Sequence, residues 1–179
     1  MYFQKFPMMV YDIKGNNNYK LLPNILRRVK LKQGLRSSRF VFDKYNVKEN
    51  ENPEDVAFKY YGDAEYHWVV LMVNNITDRY YEWPMTQPDF EEFLTDKYGA
   101  GNEDATHHHE LAQTSGKTTS IDDSHMLEVN SDTDGATTIT NRQFEERQQN
   151  KLRQIRLLED KYLDAFTEEF FGLIKKNRF

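Results

Sequence analysis

Apolar residues are distributed unevenly along this chain, and each rhythm predicts a different element. Phe3, Phe6, Pro7, Met8, Met9, Val10, Tyr11 and Ile13 are apolar without a sustained helical period, which predicts an extended N-terminal arm. Gly15-Asn-Asn-Asn18 marks a turn. Leu21, Leu22, Ile25, Leu26 and Val29 then have a short helical spacing, interrupted by Pro23. Phe40–Val47 alternates and is rich in strand formers, so it predicts a strand. Two short helices follow. Asn52 can cap the first, Pro53 fits a position that needs no N–H, and Glu54 and Asp55 suit the positive end of the helix dipole. Gly62 supplies a left-handed terminus, and Asp63 can cap a second helix ending at Asn74-Asn75. The run Trp68–Val73 is apolar throughout, so periodicity alone does not separate helix from strand. Its acidic start and Asn end favour helix.

Downstream, Asp78–Pro84 is a loop dense in aromatics, and Thr86–Tyr98 predicts a third helix closed by Gly99. Residues 99–139 are polar. Thr106–Gln113, a turn at Ser115-Gly116 and Lys117–Ile121 fit a hairpin, with Met126–Val129 as an added strand. Thr140 and Gln143 have capping-box spacing and open a helix. An apolar series from Leu152 to Ile174, with a break near Arg156–Glu159, predicts two C-terminal helices. Such a stripe needs a partner surface in its own domain or on another subunit. The expected fold class is α+β. Its divisions are an arm with a short helix (1–39), a strand and helix pair with the third helix (40–98), a polar hairpin region (99–139) and a helical segment (140–179).

Composition narrows the function. Hydrophobic residues make up 38% and charged residues 30% of 179, so the core is small for the length. The chain has no Cys, which removes disulfides and thiolate metal sites. No apolar run approaches a membrane span, and the N-terminus lacks the apolar stretch of a signal peptide, so a soluble protein made in the cytoplasm is expected. Net charge is −5 but polarised: Arg27, Arg28, Lys30, Lys32, Arg36 and Arg39 precede an acidic helix pair. Opposed patches of this kind steer and register protein partners. An overall acidic chain would repel phosphates, so nucleic acid is not expected as a partner, and without a spanning apolar run neither is a membrane.

Candidate chemistry is sparse. On a strand, His107 and His109 would share a face, but catalytic zinc needs a third protein ligand and Glu110 points the other way. Surface histidines on a polar hairpin are the better reading. The acidic pairs Asp122-Asp123, Glu91-Glu92 and Glu168-Glu169 are adjacent, and adjacent residues do not face each other. There is no phosphate-binding glycine loop and no nucleophile elbow. No enzyme activity, metal or cofactor is expected. Tyr80, Tyr81 and Trp83, with Trp68, could form a carbohydrate platform or a protein interface. Trp68, inside the apolar run, is read as packing.

The strand followed by Pro53-Glu-Asp-Val-Ala57 and Val73-Asn-Asn-Ile76 resembles a LysM module, a strand-helix-helix-strand unit. That resemblance implies binding of N-acetylglucosamine glycans, although Thr77–Pro84 replaces the usual glycine-containing turn. A longer resemblance rests on several segments. They are Asn52-Pro-Glu-Asp-x-Ala57, Tyr61-Gly62-Asp63, His67-Trp68-Val69-x-Leu71, Asn74-Asn75 and Tyr81-x-Trp83-Pro84. Phe3-x-x-Phe6-Pro7, Asn24–Arg28, Ile155-x-Leu157-Leu158 and Tyr162-Leu163 extend it. Together they resemble the small baseplate wedge proteins, with a LysM-like domain, of T-even-like contractile-tailed bacteriophages. The resemblance implies a structural virion component, made in the host cytoplasm, that joins wedges into a ring around the central hub. The implied partners are other wedge proteins and neighbouring wedges, with the hub or a sheath-like protein as further partners. The expected contact residues are Phe3, Phe6, Tyr11, Arg27, Arg28, Tyr80, Tyr81 and Trp83. The competing expectation is a peptidoglycan-binding module.

Overall fold

The computed structural model describes residues 5–31, 41–114 and 121–175. In chain order its elements begin with strands β1 (Met8–Tyr11), β2 (Lys20–Pro23) and β3 (Phe42–Asn46), then helices α1 (Pro53–Tyr61) and α2 (His67–Asn74). Next come α3 (Arg79–Glu82), α4 (Gln87–Tyr98), β4 (Thr106–Thr114), β5 (Ile121–Val129) and β6 (Thr137–Thr140). Helix α5 (Asn141–Arg153), strand β7 (Gln154–Leu158) and helix α6 (Leu163–Lys175) complete the order. The fold is α+β and divides into two compact units, Met1–Trp83 with Gln154–Phe179, and Pro84–Arg153. These boundaries differ from the limits expected at 39, 98 and 139, because the polypeptide returns to its first unit after completing the second.

In the first unit β3 pairs antiparallel with β7, from Phe42↔Leu158 to Asn46↔Gln154. Helices α1 and α2 lie between them in sequence, giving the order strand, helix, helix, strand. The caps fall where the sequence put them. The Asn52 N–H donates to the Asp55 carboxylate at 3.0 Å, Gly62 adopts φ 78° and Asn75 adopts φ 58°. Asp63 caps a 3₁₀ turn, Ala64–Tyr66, that leads into α2. Trp68 is buried, with its ring 4.5 Å from that of Phe170 on α6. The α6 stripe, with Phe170 and Ile174 buried, therefore docks within its own unit.

Three expectations are corrected here. Asp78–Pro84, expected as a loop, contains the one-turn helix α3, because the Asp78 side chain caps it by accepting from the Tyr80 N–H. Residues 20–23 form a strand, not part of a short helix, because Pro23 breaks the spacing and the segment pairs with β1. Residues 154–158, expected within the C-terminal helices, form β7, because Ile155, Leu157 and Leu158 fill the core beside β3.

The second unit is a three-stranded antiparallel sheet, order β5-β4-β6, with α4 and α5. Strand β4 pairs antiparallel with β5, and Met126–Val129, expected as a separate strand, is the end of β5 itself. Residues 117–120 of the expected second strand lie outside the described residues. The Ser115-Gly116 turn lies outside the described residues. Thr140 and Gln143 make the reciprocal capping box, at 3.1 and 3.2 Å. Apolar burial among the described residues of this unit is confined to Phe90, Leu94 and Ile139. Ion pairs from α5 supplement it: Arg142 to Glu91 and Lys97 to Glu145, each at 2.6 Å.

Candidate interaction surface

Two surface features of the first unit present apolar groups from a fixed backbone. The first is the β1–β2 hairpin. Its connection folds around Asp12, whose carboxylate accepts from the N–H groups of Lys14, Gly15 and Asn17 at 3.1, 2.9 and 2.7 Å. Gly15 and Asn17 take positive φ, 65° and 61°, which Gly and Asn tolerate best. Desolvation works to raise the Asp12 carboxyl, but the backbone donors together outweigh it and hold it below the ordinary value. Met9 and Leu22 are half-buried on one face, whereas Met8, Val10 and Leu21 are exposed on the other.

The second feature is α3. Asp78 caps it by accepting from the Tyr80 N–H at 2.9 Å. Glu82 reaches back to accept from the N–H groups of Thr77 and Asp78, at 2.6 and 2.9 Å. The Asp78 and Thr77 N–H groups lower the Glu82 carboxyl below its ordinary value. Arg79 is pinned to Glu54 and to the Asn52 side chain, each at 3.0 Å. What remains free is the pair Tyr80 and Tyr81, 84% and 77% exposed. Phe58, exposed on the same helical face as Glu54, extends this acidic, aromatic surface.

The base of α3 is fixed by Trp83. Its indole N–H donates to the Glu51 carbonyl at 2.8 Å, and the residue is 5% exposed. Glu51 is itself buried. Its carboxylate accepts from the Tyr45 hydroxyl at 2.9 Å, from the Lys48 N–H at 2.8 Å and from Lys59. Burial pushes the Tyr45 hydroxyl up to about 12, and its bond to Glu51 adds to the effect.

The expected contact residues therefore separate. Tyr11, Arg28, Tyr80 and Tyr81 are exposed. Trp83 and Phe6 are core residues in this structure, not accessible contacts, because their rings fill the first unit. Arg27 is half-buried, with its guanidinium donating to the Ile174 carbonyl. Phe3 lies outside the described residues. The outward face formed by Met8, Val10 and Leu21 was not singled out by sequence. The signal was present in Gly15–Asn18, which joins two short apolar runs.

The histidines of the second unit form a bonded cluster rather than a face. The β4 register shifts between Thr106 and His108. His107 Nδ1 then lies 2.7 Å from His108 Nδ1, and His108 Nε2 lies 2.8 Å from Glu110. His107 stacks on Phe144 at 4.0 Å, while His109 Nδ1 meets the Thr138 hydroxyl. The cluster is internally consistent when His108 Nε2–H donates to Glu110 and His107 Nδ1–H donates to His108. Burial works to raise the Glu110 carboxyl, but Arg147 and His108 outweigh it and hold it low. Among the described residues no group of three or more His, Asp or Glu side chains could hold a metal ion. None of their helices is long and apolar enough to cross a membrane.

These features define an α+β protein with exposed aromatic and apolar surface groups, and comparison with known proteins gives its family. A family model described as Base plate wedge protein 53 matches residues 1–125, and this chain belongs to that family. Baseplate wedge protein gp53 of Enterobacteria phage T4 is 31% identical over 114 residues, covering 60% of this chain and 57% of that protein. The chain thus matches somewhat more than half the length of that relative. The family match ends inside β5, so β7 and the helices flanking it lie beyond it.

Proposed function

We propose that this chain is a structural component of a contractile-tail baseplate, where it joins wedges into a ring around the central hub. The observation that carries the reading is Tyr80 and Tyr81, held outward on a segment whose polar groups are already engaged. Tyrosines combine a large apolar face with a polar tip and commonly anchor protein contacts. In this reading α3 and the β1–β2 hairpin meet other wedge proteins, and a contact between identical wedges is heterologous, one patch meeting a different patch on the neighbour. We read β3-α1-α2-β7 as the LysM-like module, with its closing strand delivered from beyond the second unit. The reading assigns no reaction, cofactor or metal to the chain.

Electron cryomicroscopy of purified particles tests this directly. Density for the chain at wedge boundaries is the expected result, and its absence from the baseplate overturns the reading. The glycan-binding alternative rests on the same strand-helix-helix-strand order. Against it, the loop after β3 is tied to the chain's own α3 segment through Glu51–Trp83 and Asn52–Arg79. Retention of the chain on purified peptidoglycan would favour the alternative.

A further inference from the structure

In antiparallel pairs, residues whose backbone groups point at each other alternate with residues whose groups point away. The Asn24 N–H donates to the Pro7 carbonyl at 2.8 Å, so Pro7 and Asn24 form an inward pair. The register Met8↔Pro23, Met9↔Leu22, Val10↔Leu21, Tyr11↔Lys20 then makes Met9–Leu22 and Tyr11–Lys20 inward pairs as well. The backbone groups of Met8 and Val10 on β1, and of Leu21 and Pro23 on β2, point out of the hairpin. The sheet contains only these two strands, so both edges are open among the described residues.

The two edges are not equivalent. Pro23 has no N–H, so the β2 edge keeps a single outward donor, at Leu21, while β1 offers complete N–H and C=O sets at Met8 and Val10. The Met8 and Val10 side chains are 53% and 63% exposed, beside Leu21 at 61% on the same face. A two-stranded hairpin with an uncovered apolar face is marginal in water and gains from a third strand. Charge narrows the choice of strand. Residues 5–31 carry Lys5, Lys14, Lys20, Arg27, Arg28 and Lys30 against Asp12 alone, although the whole chain is net −5. Edge-to-edge pairing of β1 with its own copy would bring two such basic segments together, which is unfavourable.

Resting on the baseplate reading above, we propose that β1 accepts an extended segment of another baseplate protein as a third strand. The incoming segment pairs with the backbone of Met8 and Val10. It has apolar residues at alternate positions, to cover the Met8-Val10-Leu21 face, and carboxylates flanking them.

Fragment-resolved hydrogen–deuterium exchange, on the isolated chain and on purified baseplates, tests the proposal. The Met8 and Val10 amides are expected to exchange freely in isolation and to slow by about tenfold or more in the baseplate, with Leu21 unchanged. Val10→Pro removes an outward N–H from β1, and Leu21→Pro removes one from β2. Of these two variants, Val10→Pro alone is expected to reduce incorporation. Lys14→Glu with Lys20→Glu is expected to reduce it too, without changing the melting temperature of the isolated chain. Unprotected Met8 and Val10 amides in baseplates that contain the chain would overturn strand addition and leave the baseplate role standing. Protection in the isolated chain that rises with its concentration would also overturn it, assigning the edge to a second copy. Absence of the chain from purified baseplates would remove both readings.

Discussion

Asn74 and Arg156, 82 positions apart, exchange two hydrogen bonds. Asn74 Nδ2 donates to the Arg156 carbonyl, and the Arg156 N–H donates to Asn74 Oδ1, each at 2.8 Å. Asn74 Nδ2 also donates to the Val70 carbonyl at 2.8 Å. One side chain at the end of α2 thus supplies β7 with both a donor and an acceptor. Replacing Asn74 with Leu leaves the Arg156 backbone groups without these partners and is expected to cost roughly 2–4 kcal/mol. Urea unfolding measures it, and a loss below about 0.5 kcal/mol would show that the pair does not hold β7 in place.

Trp83→Ala removes a buried indole and leaves the Glu51 carbonyl without its donor. The expected loss is about 3–5 kcal/mol in chemical denaturation. A near-neutral result would mean that α3 is not anchored through Trp83.

Tyr80→Ser with Tyr81→Ser acts in the opposite way. Both rings are exposed, so stability should stay within about 0.5 kcal/mol of the parent. Incorporation into baseplates should fall. Normal incorporation of the double variant would remove α3 from the list of contacts.

Glu82 has a depressed carboxyl value in the folded chain. A depressed carboxylate contributes stability that is present above its unfolded value and lost as pH falls through the folded value. Glu82→Gln should therefore be less stable than the parent at pH 7, and the two should converge as pH falls below the ordinary value of 4.5. Denaturation midpoints measured across that range give the comparison. A gap that widens in acid would contradict the assigned hydrogen bonds.

Trp83 and Ile155 belong to the same buried cluster, so the chain leaves and re-enters the first unit at one core. Replacing residues 84–153 with a flexible Gly-Ser linker is expected to leave that core folded. Cooperative unfolding monitored by tryptophan fluorescence would show it, whereas a non-cooperative transition would show that the first unit depends on the second.

Local chemistry was legible in the sequence, and distant pairing was not. The boundaries of α1 and the end of α2 followed from Asn52, Pro53, Gly62 and Asn75, because caps act within one turn, whereas Asp63 caps the 3₁₀ turn that precedes α2 rather than α2 itself. The Thr140–Gln143 box was readable for the same reason. By contrast, Leu152, Ile155 and Leu158 recur at helical spacing, and only the remote strand at Phe42–Asn46 turns residues 154–158 into β7. Strand formation depends on such partners more than helix formation does. The outward face of the hairpin was hidden by the same ambiguity, since Leu21, Leu22, Ile25 and Leu26 also match a helix. His107 escaped because a one-residue register shift changes which side a strand residue faces.

The late arrival of β7 has a consequence during synthesis. Translation at roughly 5–20 residues per second separates α3 from β7 by several seconds on the ribosome. Over that interval β3 lacks its partner, with its open edge and the apolar sides of α1 and α2 awaiting cover. The inserted segment has all its strands and helices in hand by Arg153, so it can finish folding while its host is still incomplete. The host can close only once its own late strand and helix, β7 and α6, have been made.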